Sequence, residues 1–196
     1  MAQGSPTGLV AASYDRDAAL QIKSLLENTS IKVTISQDLR GVGLASALKN
    51  PYAIALGMCD GLKLSTNTKA LVLTIAIQEI ATLLRASKAE SGTAYGLAGL
   101  GDLVVTGFSP HGRNRTYGER LATASSRNPL DLGLTTVEGV TAAPLVLKLA
   151  RHGKIQTPLL KSIVACTRAK KDFSQPFTTF LRRFSFGSQK FSTRTH

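Results

Sequence analysis

Three short stretches carry side chains able to hold and polarise a small anion. The first, residues 41–50 (GVGLASALKN), sets Lys49 and Asn50 among Gly43, Ala45, Ser46 and Ala47. Small neighbours let a ligand approach the Lys49 ammonium, which can hold an anion or polarise a carbonyl; a solvated helix face is the plainer alternative for the same pair. The second, residues 96–106 (GLAGLGDLVVT), places Gly96, Gly99 and Gly101 ahead of Asp102 and a β-branched run. Without a preceding strand this GxxGxG run is no dinucleotide fingerprint. Either it is a tight loop in which Asp102 caps a helix, or Asp102 lies beside Lys49 or a bound hydroxyl and orients a substrate. The third, residues 112–115 (GRNR), reads as a loop after Pro110. Arg binds phosphate through a planar fork and Asn adds a hydrogen bond, so Arg113 and Asn114 suit a phosphate or pyrophosphate clamp, with an exposed basic turn as the plainer alternative. His111 and His152 have no partner at metal-ligand spacing and read as structural or solvated.

The elements that must position these residues change character along the chain. Residues 7–13 form a short apolar run expected to be a buried strand. Asp15 is placed to cap a helix over 16–28, with Ala19, Ile22, Leu25 and Leu26 on one face. Residues 31–36 alternate as a second strand. Two strands and a helix cannot cover a sheet by themselves, so this unit reads as the tail of a larger α/β domain. From Leu39 onward the β pattern stops. Apolar spacing of three and four predicts helices over 42–62, 70–85, 116–125, 138–152 and 159–171. Pro51 removes a backbone donor inside the first of these, where a kink near 47–50 is expected. Residues 173–196 read as a short helix near 178–183 and a frayed basic tail.

The charge balance narrows the partners. Lys and Arg total 24 against 12 Asp and Glu, a formal +12, and Asp172 is the only acid after Arg151. Such an excess concentrates anions: phosphorylated metabolites, nucleotides, nucleic acid or lipid head groups. With 6% aromatic residues and no Trp, the stacking side chains of a nucleic-acid reader are scarce, so no specific nucleic-acid partner is expected. Cys59 and Cys166, far apart and in apolar stretches, read as two buried thiols. No run of 18 apolar residues predicts a transmembrane segment.

In their order, GVGLASALKN, CDGLKLSTNTKA, GLAGLGDLVVTGFSPHGRNRTYG and TTVEGVTAA resemble the C-terminal domain of the NAD(P)-dependent glycerol-3-phosphate dehydrogenases, over about residues 7–158. The length between Asp102 and Arg113 is similar to that of the bacterial and plastid-type branch. The resemblance implies a mainly α fold: a multi-helix C-terminal dehydrogenase domain over 39–172, preceded by a strand–helix–strand remnant of a Rossmann domain over 1–38 and followed by the tail at 173–196. It implies hydride transfer between NAD or NADP and the pair dihydroxyacetone phosphate / sn-glycerol 3-phosphate, feeding glycerol-lipid synthesis. Lys49 falls on the family's catalytic acid/base. Asp102, Thr106, Gly112, Arg113 and Asn114 join Lys49 on its substrate-binding positions, and Arg113, Thr136 and Glu138 on its cofactor contacts. A homodimer is implied for the full-length family, in the cytoplasm, or in the plastid of a plant or alga.

Departures accompany the match. Gly112 stands where the bacterial branch commonly has Ser, so a hydroxyl contact is lost there. Gly43 replaces an acid, and Pro51 an apolar residue. The family's GxGxxG turn, second active-site Lys and Gly-Pro-Ser/Thr segment are absent from these residues, so the chain alone is expected to turn over little or nothing. Two other readings compete: a non-catalytic anion- or partner-binding helical module of the same fold, and an enzyme of the same architecture acting on a different oxo or hydroxy acid.

Overall fold

The structure is a computed structural model that describes residues 4–185. Its first unit is β1 (Thr7–Ala12), α1 (Arg16–Leu26) and β2 (Ile31–Ser36). Asp15 caps α1, its carboxylate accepting from the amides of Asp17 and Ala18. The two strands pair in parallel, with Thr7 opposite Ile31 and Ala12 opposite Ser36. The α1 residues expected to share a core face find little to pack on: Ala19 is buried, but Ile22 is 43% and Leu25 76% exposed. A two-stranded sheet has too few strands to shelter its helix.

Helices follow: α2 (Leu39–Gly61), α3 (Thr66–Ala86), a 3-10 turn (Ser91–Tyr95), a π turn (Leu97–Gly101), α4 (Asp102–Phe108), α5 (Arg113–Leu121), α6 (Glu138–His152), α7 (Pro158–Arg168) and α8 (Gln175–Arg183). Helix α2 is the axle. Every residue from Pro51 to Cys59 is buried, as suits a helix surrounded on all sides, and α3, α4, α5, α6 and α7 all pack against it. The helix runs through Pro51 without ending. Phe173 and Phe177 join the same core, so the region of α8 is anchored; the basic residues beyond 185 lie outside the described residues.

Two features fix the register of the bundle. The α2–α5 crossing is so close that a Cβ at Gly57 would fall 1.9 Å from the Arg115 carbonyl oxygen, and one at Gly118 would fall 1.9 Å from that of Ile54. Only glycine permits such an approach. On the other side of α2, the 5% exposed Glu79 of α3 accepts from the Tyr52 hydroxyl (2.9 Å) and from the Leu159 and Leu160 amides (2.8 and 3.1 Å). A carboxylate from α3 thus caps the N-terminus of α7, whose own cap position, Thr157, provides no side-chain bond. Burial outweighs these donors and pushes the Glu79 carboxyl up to about 7.

The sequence reading needs correction at two places. Within 96–106, where one alternative is a tight loop with Asp102 as a cap, residues Leu97–Gly101 form a π turn and Asp102 is itself the first residue of helix α4. Arg113 and Asn114 are not in a loop either; they open α5. Cys59 and Cys166 are free and buried as expected, and burial raises each thiol to about 12. Among the described residues, no helix is long and apolar enough to cross a membrane, and no cluster of His, Cys, Asp and Glu could hold a metal ion.

Candidate functional site

The bundle brings four helices to the edge of one cleft of about 370 Å³, lined by Ser46, Lys49 and Asn50 of α2, Thr106 of α4, His111, Gly112, Arg113 and Asn114 at the start of α5, and Glu138 at the start of α6. Lys49 comes from the half of α2 nearest the strands. Its ammonium bonds the Asp102 carboxylate, with the two side chains 15% and 33% exposed. Asp102 is therefore no helix cap. It is the first residue of α4, and Gly101 before it makes no side-chain cap. The same carboxylate is 3.5 Å from the Thr106 hydroxyl, one turn along α4 and on the cleft wall. Asp102 itself also lines a neighbouring groove of about 630 Å³ between β1 and the α2–α4 pair; Ser46 borders both spaces.

Asn114 is 4% exposed and ties three helices together. Its amide nitrogen donates to Asn50 Oδ1 (3.0 Å), and its amide oxygen accepts from the Gly139 N–H (2.8 Å). The second bond caps α6 from another helix, since Val137 supplies no side-chain cap. Gly139 must be glycine, because a Cβ there would fall 2.6 Å from the Asn50 carbonyl oxygen. Arg113, one residue earlier, is half exposed and pairs with Glu138 at 2.5 Å. Gly112, the cap position of α5, supplies no side chain, so no side-chain cap occupies the N–H groups of the first turn.

One further ionic cluster sets the α5 start on its far side. Asp60 of α2 accepts from Lys69 (2.7 and 2.8 Å) and from Arg115 (2.8 Å), holding the residue after Asn114 against the bundle. Lys69 also lies 4.3 Å above the Phe108 ring.

The structure thus brings together Lys49, Asp102, Thr106, Gly112, Arg113, Asn114 and Glu138. It does not bring Thr136, which is exposed in the loop before α6 and off the cleft wall. His111, set aside in the sequence, borders the cleft. Asn50 was noted only as a neighbour of Lys49; its bond to Asn114, 64 residues away, has no trace in local sequence. A Cβ at Gly112 would fall 2.5 Å from the Thr106 carbonyl oxygen, so glycine there lets the start of α5 lie close against α4.

An ammonium held by a carboxylate, an Arg and the start of a helix without a side-chain cap stand around one small cleft, groups whose chemistry is able to hold an oxygen-bearing anion. Residues 38–178 match the model of the NAD-dependent glycerol-3-phosphate dehydrogenase C-terminus, and the chain belongs to that family. It is 41% identical over 169 residues to a glycerol-3-phosphate dehydrogenase [NAD(P)+] of Deinococcus radiodurans, covering 86% of this chain and 50% of the relative. An enzyme of the same description from Salinibacter ruber is 37% identical, covering 84% of this chain and 49% of its own length. The crystal structure of glycerol-3-phosphate dehydrogenase from Coxiella burnetii superposes with a TM-score of 0.83 at 30% identity, covering 93% of this chain and 56% of that one. The chain spans about half the length of the curated relatives it matches.

Proposed function

We propose that this cleft is the substrate end of a glycerol-3-phosphate dehydrogenase, taking dihydroxyacetone phosphate or sn-glycerol 3-phosphate. The observation that carries the reading is that Lys49, held by Asp102 behind the cleft wall, and the first turn of α5 open on one cleft. The phosphate sits between the Arg113 guanidinium and the amides of that turn, where charge and donors coincide. Asn114 keeps one amide hydrogen beyond its bond to Asn50 and can add it to the phosphate. The substrate then extends past Thr106 to Lys49. In the reducing direction the Lys49 ammonium stabilises the developing C2 alkoxide and gives it a proton; in the reverse direction the amine takes that proton back. Asp102 holds Nζ in place and offers an acceptor to a substrate hydroxyl.

The relatives' names pair this chemistry with NAD(P)+, and NAD or NADP supplies or takes the hydride at C2. The residues here fit one edge of such a dinucleotide only. Arg113 and Glu138 stand at the starts of two helices beside the substrate, with Thr136 nearby in sequence. The described strand–turn–helix offers no pyrophosphate cradle, because Asp15 already fills the N-terminus of α1 with a carboxylate. Residues 1–38 are accordingly read as part of a dinucleotide-binding domain and 39–172 as the substrate domain, with little turnover by this chain alone.

Titration calorimetry of the purified chain tests the reading. Dihydroxyacetone phosphate should bind, unphosphorylated dihydroxyacetone should not, and Arg113→Ala should weaken the phosphate ester roughly tenfold or more. Equal binding of both ketones would contradict it. NADH should not be oxidised when this chain and dihydroxyacetone phosphate are mixed.

A further inference from the structure

Both cations of the cleft already own a carboxylate: Lys49 has Asp102, and Arg113 has Glu138. Among the described residues, His111 is the remaining titratable side chain on its wall. The charges within the two pairs cancel, so an anion that enters must compete with a carboxylate already in place. The pairs differ in what they cost to open. Lys49 and Asp102 are 15% and 33% exposed, whereas Arg113 and Glu138 are 53% and 44% exposed, so water screens and replaces the second pair far more readily.

The helix ends add a direction to this difference. Arg113 is the first residue of α5, where a cation faces the positive end of the helix dipole and an anion is wanted. Glu138 is the first residue of α6, where a carboxylate remains favourably placed after it lets go of Arg113. The carboxylate therefore has two acceptable stations, and the guanidinium at the positive helix end is the member that gains from a replacement anion.

We infer that Glu138 is a built-in competitor for the substrate's phosphate and sets the specificity of the cleft for phosphate dianions over carboxylates. This rests on the reading of Arg113 as the phosphate-binding residue. A ligand carboxylate offers one charge and two acceptor oxygens, no more than Glu138 offers from within the chain at high local concentration. A phosphate monoester near neutral pH carries close to two charges and three acceptor oxygens. It can take the Arg113 fork and the uncapped α5 amides together, which Glu138 does not do. Specificity then comes from an element that disfavours the wrong ligand as much as from contacts to the right one.

The experiment compares sn-glycerol 3-phosphate with glycerate, which presents a carboxylate on a three-carbon frame, by calorimetry on the full chain. Wild type, Glu138→Gln and Arg113→Ala are measured beside Glu27→Gln, which removes an exposed acid after α1 and controls for net charge. Glu138→Gln should bind sn-glycerol 3-phosphate about two- to fivefold tighter, the range an exposed ion pair is worth. It should gain more for glycerate, narrowing the preference for phosphate, while Glu27→Gln changes neither. Unchanged or weaker phosphate binding by Glu138→Gln, with Arg113→Ala still losing it, would overturn the competitor role and leave the phosphate site standing. Arg113→Ala binding like wild type would overturn both. Matching circular dichroism and melting curves exclude misfolding as the source of any loss.

Discussion

The helical bundle and the strand–helix–strand unit before it obey the same sequence grammar and reach opposite outcomes. In α2 a run of nine residues is buried without a break. In β1, α1 and β2 only Ala11 and Ala19 are buried hydrophobic residues, while Ile22 and Leu25 face solvent. The apolar residues of α1 gather on one face about as clearly as those of α7, so periodicity reports a face and says nothing of whether its cover is at hand. The bundle closes around α2; the β unit closes around nothing in the described residues.

That contrast predicts very unequal responses to mutation. The largest should come at the α2–α5 crossing. Gly118→Val drives a side chain into the Ile54 carbonyl and should cost about 3 kcal/mol or more in urea denaturation, or leave the chain insoluble. A stability loss under about 1 kcal/mol would mean the crossing can slide, which a packed core resists.

The next effect depends on pH. The Glu79 carboxyl is raised from 4.5 to about 7, with desolvation the leading cause, opposed by the Leu159 and Leu160 amides, the Tyr52 hydroxyl and Lys161. A folded-state value above the unfolded one means the folded protein holds the proton more tightly. Its contribution is full below about pH 4.5 and is lost as pH rises through about 7, on the order of 3 kcal/mol in all. Denaturation midpoints from pH 5 to 8 should therefore decline in wild type more steeply than in Glu79→Gln. Parallel profiles would remove Glu79 as the source.

The smallest effect belongs to the open unit. Leu25→Ser should shift stability by no more than about 0.5 kcal/mol, as for an exposed site. A larger loss would show that α1 is covered in solution and would break the comparison.

The parts of the fold legible in sequence are those whose signal is local. The strand over 31–36 and the helix Glu138–His152 match their predicted bounds because alternation, a Glu at the first turn and a Gly after His152 all lie within them. Helix α4 escaped because it is only seven residues long and four of them are a glycine and three β-branched side chains, so it is held by burial of Leu103 and the Lys49 bond more than by propensity. The first turn of α5 escaped because no side chain caps it, and that same absence leaves its amides free for a ligand. The Asn50–Asn114–Gly139 chain and the Glu79 cap join residues 25 to 81 positions apart, so only packing reveals them. The motifs named the candidate residues; the bundle made them neighbours.

The central claim is that the first turn of α5, the first residues of α6 and Lys49 form one anion cleft. Amide chemical-shift mapping by 15N NMR, titrating sn-glycerol 3-phosphate into the labelled chain, tests it most directly. Saturable shifts should concentrate at Lys49, Gly112, Arg113, Asn114, Glu138 and Gly139, with the β1–α1–β2 amides still. Shifts clustered instead around Lys63 and Arg120 on the opposite side of α5, or spread without saturation over the basic C-terminal residues, would contradict it.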